Sequence, residues 1–519
     1  MTVAAGILFS RILGLVRNRV FAHYFGTSDA ADAFNAAFRI PNLLQNLFGE
    51  GVLSASFIPV YAGLRARGEA AEARRVASAV AAFLALVSAI LVLGGIALTP
   101  WLIAAIAPGF TGEKREATIR LVRILFPGAG LLVLSAWCLG VLNSHRRFWL
   151  SYSAPVLWNL AIIAALLVFG QGTAQYRLAE VAAWGSVAGS LLQLGVQLPT
   201  VARLLEGAWP RIVRGSANVR EVFRNFGPVF VGRGVVQISA YVDTVIASLL
   251  PTGAVAGIAY AQVLYTLPVS LFGMSVSAAE LPAMSGAVGT DAERGAYLRS
   301  RLGAGLRQIA FFVVPSAVAF VALGDVVVGA LYQSGAFTRA MTIYVWAILA
   351  GSAVGLLTST MGRLYSSTYY ALRDTRTPLR FALVRVALTI GLGYLFALPL
   401  PRALGIEARW GAAGITLAAG IAGWVEFVLL RRGLVQRIGD TRMPLPLVAR
   451  LWGTAALSAA VARGLGAALP QLHPVAAAVA LLGVYGTLYV AAANLLGVPE
   501  AAAVLSRIRP REPGGGAAG

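Results

Sequence analysis

The sequence predicts an all-α polytopic membrane protein of about fourteen transmembrane helices, arranged as two six-helix lobes around a central cavity plus two C-terminal helices. Three observations lead there. Of 519 residues, 58% are hydrophobic and only 12% charged, with a mean hydropathy of +0.76; soluble domains carry roughly 25% charged residues. The apolar residues form unbroken blocks, for example 76–98, 121–142, 155–169, 309–323 and 475–496, and a helix needs about 20 of them to cross ~30 Å of hydrocarbon. The basic residues fall in alternate connections.

In chain order the expected spans are 4–24, 33–63, 76–106, 117–142, 153–170, 179–202, 223–250, 254–284, 301–323, 340–366, 379–399, 411–430, 449–468 and 474–497. The second contains Pro41 and Pro59, so it bends. Spans one to six make an N-lobe over 1–210 and spans seven to twelve a C-lobe over 211–435. The last two occupy 436–500, and 501–519, Gly/Ala-rich after Pro510, is a cytoplasmic tail expected to be disordered. The first span contains Arg11, Arg17 and Arg19 and no small-residue cleavage site, which argues against a signal peptide.

One set of connections carries 25 basic residues, including Arg74, Arg75, Arg211, Arg220, Arg431 and Arg437; the opposite set, from Lys114 and Arg115 to Arg409 and Arg463, carries 8. The excess marks the cytoplasmic side. Both termini are therefore expected in the cytoplasm of a bacterial inner membrane. This placement accounts for the net charge of +21 without a nucleic-acid partner. Cys138 stands alone and the three histidines are scattered, so neither a disulfide framework nor a metal site is expected. A weak internal repeat is visible. Arg17 to Pro41 and Asp243 to Pro268 span 24 and 25 residues, each followed by Phe-Gly (48–49 and 272–273) and a second proline, Pro59 and Pro282. Both copies start from the same side, as in a parallel repeat about the membrane normal. Two GxxxG pairs, Gly185 with Gly189 and Gly351 with Gly355, permit close helix contact.

The chemistry concentrates in the first two spans. Ser10, Gly14 and Arg17 share one helix face, with Arg11 and Asn18 on a neighbouring stripe. A charge at bilayer depth costs several kcal/mol unless it meets water or a partner. Arg19, Arg123, Arg307 and Arg385 lie near span ends, where snorkelling suffices. In the second span, with Asp32 at zero, Asn35, Arg39, Asn42, Asn46 and Glu50 fall at roughly 300°, 340°, 280°, 320° and 0°. The stripe rises about 27 Å, close to the hydrocarbon thickness. Lipid cannot accept it. It is either a polar seam between packed helices or the wall of a hydrated cavity. Arg233, Asp243 and Glu280 are further intramembrane charges. No nucleophile–base set, phosphate-cradling Gly loop or nucleotide domain is present, so transport is favoured over a membrane transferase.

These residues carry a resemblance. Phe9-Ser10-Arg11-Ile12-Leu13-Gly14 with Arg17, Asp32-Ala33-Phe34, Ile40-Pro41-Asn42-Leu43-Leu44, Phe48-Gly49-Glu50-Gly51 and Ala55-Ser56-Phe57-Ile58-Pro59 resemble the MurJ (MviN) family of lipid II flippases, of the multidrug/oligosaccharidyl-lipid/polysaccharide exporter superfamily. Weaker likeness extends through Leu267-Pro268 to Gly335-Ala336-Phe337-Thr338. The resemblance implies movement of undecaprenyl-pyrophosphate-linked peptidoglycan precursor to the periplasmic leaflet by alternating access, with no covalent catalysis and no cofactor beyond a coupling ion or the membrane potential. The protein is expected to act as a monomer. Ser10, Arg11, Arg17, Asp32 and Glu50 match functional family positions; Arg39, Asn42 and Asn46 join them on the stripe as substrate-binding candidates. Guanidinium groups suit a pyrophosphate. The chain departs from the family at Asn18, Gln45, Gln262, Val263 and Thr266, and the alternative is an exporter of another lipid-linked glycan or of drugs.

Overall fold

The computed structural model describes residues 2–48, 53, 56–207, 210–211, 216–468 and 472–508, with side chains except at 2–7, 225, 227–240 and 507–508. Among the described residues there is helix and no strand. Inside lipid, helices satisfy their own backbone hydrogen bonds, so the apolar blocks of this sequence leave few alternatives.

The described residues divide into two compact units: those of Met1–Ala256 with Ser334–Thr338, and those of Gly257–Gln333 with Arg339–Gly519. The seventh expected span, 223–250, falls within the first of these units.

The first unit comprises α1 (Thr2–Phe25), α2 (Asp29–Phe48), α3 (Ile58–Ala66), α4 (Ala70–Ile106), α5 (Gly112–Ser144), α6 (Phe148–Phe169), α7 (Gln175–Leu204) and α8 (Ala217–Ser248). Within it α5 packs on α2, α4 and α7, and α6 packs on α1 and α7. The glycine pair does what its spacing suggests: a Cβ on Gly189 would lie 2.9 Å from the Trp158 backbone of α6. A core built on Phe57, Tyr61, Leu64, Val76, Leu84, Trp137, Leu142 and Val201 joins α3, α4, α5 and α7.

The second unit takes most of α9 (Ala254–Pro268), then a π-helical turn (Val269–Met274), α10 (Ser275–Ser285), α11 (Asp291–Ala322), α12 (Gly324–Tyr332), α13 (Arg339–Ala353) and α14 (Leu356–Ala371). It continues through α15 (Arg376–Ala397), α16 (Pro399–Ala403), a 3₁₀ turn (Ala408–Trp410), α17 (Gly411–Ile438), α18 (Leu445–Ala468), α19 (Pro474–Leu495) and α20 (Pro499–Ile508). Pro268 cannot donate to the helical ladder, and the π turn begins at the next residue and ends past the Phe272-Gly273 pair of the repeat. The corresponding Phe48-Gly49 runs out of the described residues at 49. Close approach recurs at Gly355, whose Cβ would lie 2.7 Å from Gly420 Cα on α17.

Eleven described helical segments are long and apolar enough to cross a membrane. The helices α1, α2 and α8 coincide with expected spans but carry three or more charged side chains each. The tail differs from expectation: residues 501–508 are helical, because Pro499 opens α20, Glu500 suits its first turn, and Glu500 pairs with Arg307 of α11 at 3.5 Å.

Candidate functional site

The start of α2 is built to hold a carboxylate. Ser28 caps the helix, its Oγ accepting the Ala31 amide at 3.2 Å. Asp32, one turn in, is 1% exposed. Its Oδ2 accepts from Lys114 Nζ at 2.7 Å and from the Gly253 amide at 2.8 Å; Oδ1 accepts from the Ala256 amide at 2.8 Å. Lys114 also reaches Asp29 Oδ1 at 2.7 Å, and the Thr252 hydroxyl donates to the same oxygen at 2.8 Å. Beside this cluster the Ala336 amide donates to the His23 carbonyl at 2.7 Å, docking the 334–338 segment on the end of α1.

The expected stripe is corrected here. Asp32 shares the angular sector of Asn35, Arg39, Asn42 and Asn46 but not their surroundings. Three protein donors from distant parts of the chain converge on it and close it off from solvent. The other four are half-buried, while Ala33, Ala36 and Ala37 on the remaining faces are fully buried. The small residues thus form the packed face, while half-burial is shared by the apolar Phe38, Leu43, Leu44 and Leu47. Glu50 lies outside the described residues, as does the side chain of Arg233.

Farther along α2, two groups of α8 approach Arg39. The Tyr241 hydroxyl donates to the Arg39 carbonyl at 2.8 Å, and the Asp243 carboxylate attracts its guanidinium. On α1, Ser10 is half-buried and Arg11 exposed. Arg17 Nη2 donates to Asn18 Oδ1 at 3.0 Å, and its guanidinium lies 4.8 Å over the Trp158 ring of α6. The Trp158 indole donates to Ser186 Oγ at 3.1 Å. Trp158 and Ser186 also line, with Asn42 and Gln45 of α2, a cavity of about 20 Å³. That is room for about one water, far below a glycan headgroup. Arg17 and Asn42 are therefore both brought to the neighbourhood of one tryptophan. Glu280, on α10 of the second unit, is paired with Arg301 at 2.8 Å.

Three residues of this site escaped the sequence reading. Lys114 carried a signal, being the single lysine among 42 basic residues. A compact ammonium with three donors can bridge two carboxylates, where a planar guanidinium favours one. Trp158 and Tyr241 carried none, as each sits in an ordinary apolar or mixed helix. Among the described residues no three His, Cys, Asp or Glu side chains are grouped to hold a metal.

The family model of the lipid II flippase MurJ matches residues 21–481. This chain belongs to the MurJ family. A probable lipid II flippase MurJ of Rhizobium meliloti (strain 1021) is 31% identical to it over 456 residues, covering 87% of this chain and 82% of its own. A lipid II flippase MurJ of Burkholderia cenocepacia is 32% identical over 445 residues, 84% of this chain and 83% of its own. The fold is that of a solved lipid II flippase MurJ in an inward closed conformation, with TM-score 0.76, 23% identity and coverage of 98% and 99% of the two chains. An inward-facing multidrug resistance MATE family transporter of the MOP superfamily shares it more loosely, at TM-score 0.64 and 17% identity over 82% of this chain and 95% of its own.

Proposed function

We propose that this MurJ-family protein flips lipid II from the cytoplasmic to the periplasmic leaflet of the inner membrane by alternating access. Beyond family membership, the observation that supports the reading is the run of half-buried polar residues on α2, Asn35 to Asn46, with Arg17 and Asn42 both reaching Trp158. A transported pyrophosphate needs cationic donors at bilayer depth, and a sugar–peptide head needs neutral amides to replace its water. Arg11 and Arg17 receive the pyrophosphate, Arg39, Asn42 and Asn46 pass the polar head, and the polyprenyl chain stays in lipid. Because the Trp158 cavity holds about one water, the head is admitted only after α2 and α6 separate. The Asp32 cluster fastens one end of the first unit, and on this reading it opens as the head leaves.

The protein works as a monomer that crosses the membrane fourteen times, with both ends cytoplasmic, and makes no covalent intermediate. A coupling ion or the membrane potential drives it. Depletion in cells followed by a leaflet assay for lipid II tests the function: accumulation on the cytoplasmic side is expected, and an unchanged distribution overturns it. Reporter fusions at Arg437 test the orientation, and a periplasmic signal there overturns it.

A further inference from the structure

A cavity of about 620 Å³ in the second unit shares no lining residue with the site described above. It forms where the end of α18 and the start of α19 meet α12. At its base is Asp325, 3% exposed. Arg339 Nη2 donates to Asp325 Oδ2 and Arg463 Nη1 to Oδ1, each at 2.8 Å. One wall is apolar, with Leu472, Pro474, Ala477 and Leu481. On their lipid-accessible faces the same two helices expose Leu457 and Val461 of α18 and Val475 and Val479 of α19.

We propose that this cavity binds the phosphodiester headgroup of an anionic phospholipid, whose acyl chain lies along the exposed faces of α18 and α19. Three observations carry this. Two guanidinium groups share one carboxylate, so the cluster has a formal charge of +1, which one phosphodiester neutralises and a pyrophosphate over-neutralises. Each arginine spends one of its five N–H groups on one Asp325 oxygen, Arg339 on Oδ2 and Arg463 on Oδ1, and both side chains remain about half exposed, at 55% and 49%. The volume lies in the range of small-ligand sites, and the cavity opens beside helix ends, where a headgroup sits when its chain is in hydrocarbon. A soluble anion would need neither the apolar wall nor that location. The site shares no residue with the α1–α2 region, so the inference does not rest on the proposed transport function.

The test is lipid retention by the full-length protein in nanodiscs containing equal parts phosphatidylglycerol and phosphatidylcholine, read by native mass spectrometry. The wild type is expected to keep one phosphatidylglycerol. Arg463→Gln should lower its retention roughly tenfold, the loss of one charge-assisted contact. Ala477→Trp, which fills the cavity and leaves the three charged groups in place, should do the same, so the result does not hang on a variant that disturbs the ion cluster. Inorganic phosphate at millimolar concentration should not displace the lipid. Equal retention of phosphatidylglycerol by wild type and Ala477→Trp, displacement by inorganic phosphate, or equal retention of the two lipids overturns the proposal.

Discussion

The two ends of α5 face opposite electrostatic problems. At its first turn, Lys114 is almost enclosed and is held between Asp29 and Asp32. The excess charge of that trio is negative, and it is met by the Thr252 hydroxyl and two backbone amides. Just past the last turn, His145 accepts or donates one bond with the Tyr61 hydroxyl at 2.9 Å and has Arg65 and Arg147 as charged neighbours. Arg65 itself donates to the Ser144 carbonyl that ends the helix, a favourable place for a cation. One end is a closed knot of ion pairs and amides that knits residues 29–32, 114 and 252–256. The other is a cationic surface on which a half-buried histidine is kept neutral. A machine that holds one end shut and leaves the other wet needs this asymmetry. Substitutions at the two ends should differ in kind.

The largest effect is expected at the knot. Asp32→Ala leaves Lys114 half-paired and the Gly253 and Ala256 amides without their acceptor. Breaking a buried pair from one side costs about 3–5 kcal/mol, so a lowered melting temperature in detergent and lost complementation are expected. Asp32→Asn keeps one acceptor oxygen and should fall between. If Asp32→Ala melts with the wild type, the cluster is not a fastener.

Next comes Arg17. Its alanine variant should fold normally yet fail to complement a flippase-depleted strain, whereas Arg19→Ala, about 200° round the helix, should be tolerated. Arg17→Lys should also be poor, since an ammonium lacks the bidentate fork. Trp158→Ala should weaken transport less, as a cation–π contact contributes about 0.5–2 kcal/mol. Equal complementation by the Arg17 and Arg19 alanine variants would remove Arg17 from the substrate path.

These two residues also mark how far the sequence can be read. The periodicity of α2 groups Asn35, Arg39, Asn42 and Asn46 on one face, and in the structure they are half-buried, as are the apolar Phe38, Leu43, Leu44 and Leu47. A helical wheel gives angle and not surroundings, so it grouped Asp32 with a face it leaves. The donors that enclose Asp32 come from positions 114, 253 and 256, and nothing local to α2 announces them. Arg17 was legible because two arginines in one apolar span are costly. Its aromatic partner was not, because Trp158 has the same spacing as any core residue of α6. The helical tail at 501–508 was missed for the opposite reason. Its composition is weak, and a tertiary ion pair with Arg307 supports it.

Between the two ends, single cysteines in a Cys138→Ala background measure the wetness of α2. Asn35→Cys, Asn42→Cys and Asn46→Cys should react with an impermeant thiol reagent several-fold faster than Ala37→Cys, Leu44→Cys or Leu47→Cys. Ala37 is fully buried and the two leucines pack on the core of the first unit. Position 42 sharpens the point. It borders a cavity of about 20 Å³, too small for the reagent, so its labelling requires a more open state and should slow when substrate is added. Uniform protection of the polar positions would make the face a dry seam.

The smallest effect separates the two ends by pH. Burial, then Arg65 and Arg147, lowers the His145 pKa from its usual 6.5 to about 4. A histidine whose folded pKa is depressed is neutral in the fold and takes up a proton more readily when unfolded. Its share of the stability is therefore complete above pH 6.5 and is lost as pH falls from there toward 4. By pH 5 the penalty should be on the order of 1 kcal/mol, allowing for partial solvent screening. The measurement is the melting temperature in detergent at pH 7.5 and pH 5 for wild type and His145→Gln. Glutamine offers the Tyr61 hydroxyl a partner but cannot take up a proton. The wild type should lose more on acidification than the variant. Identical losses would mean that the acid sensitivity of the first unit does not come from the cationic end of α5.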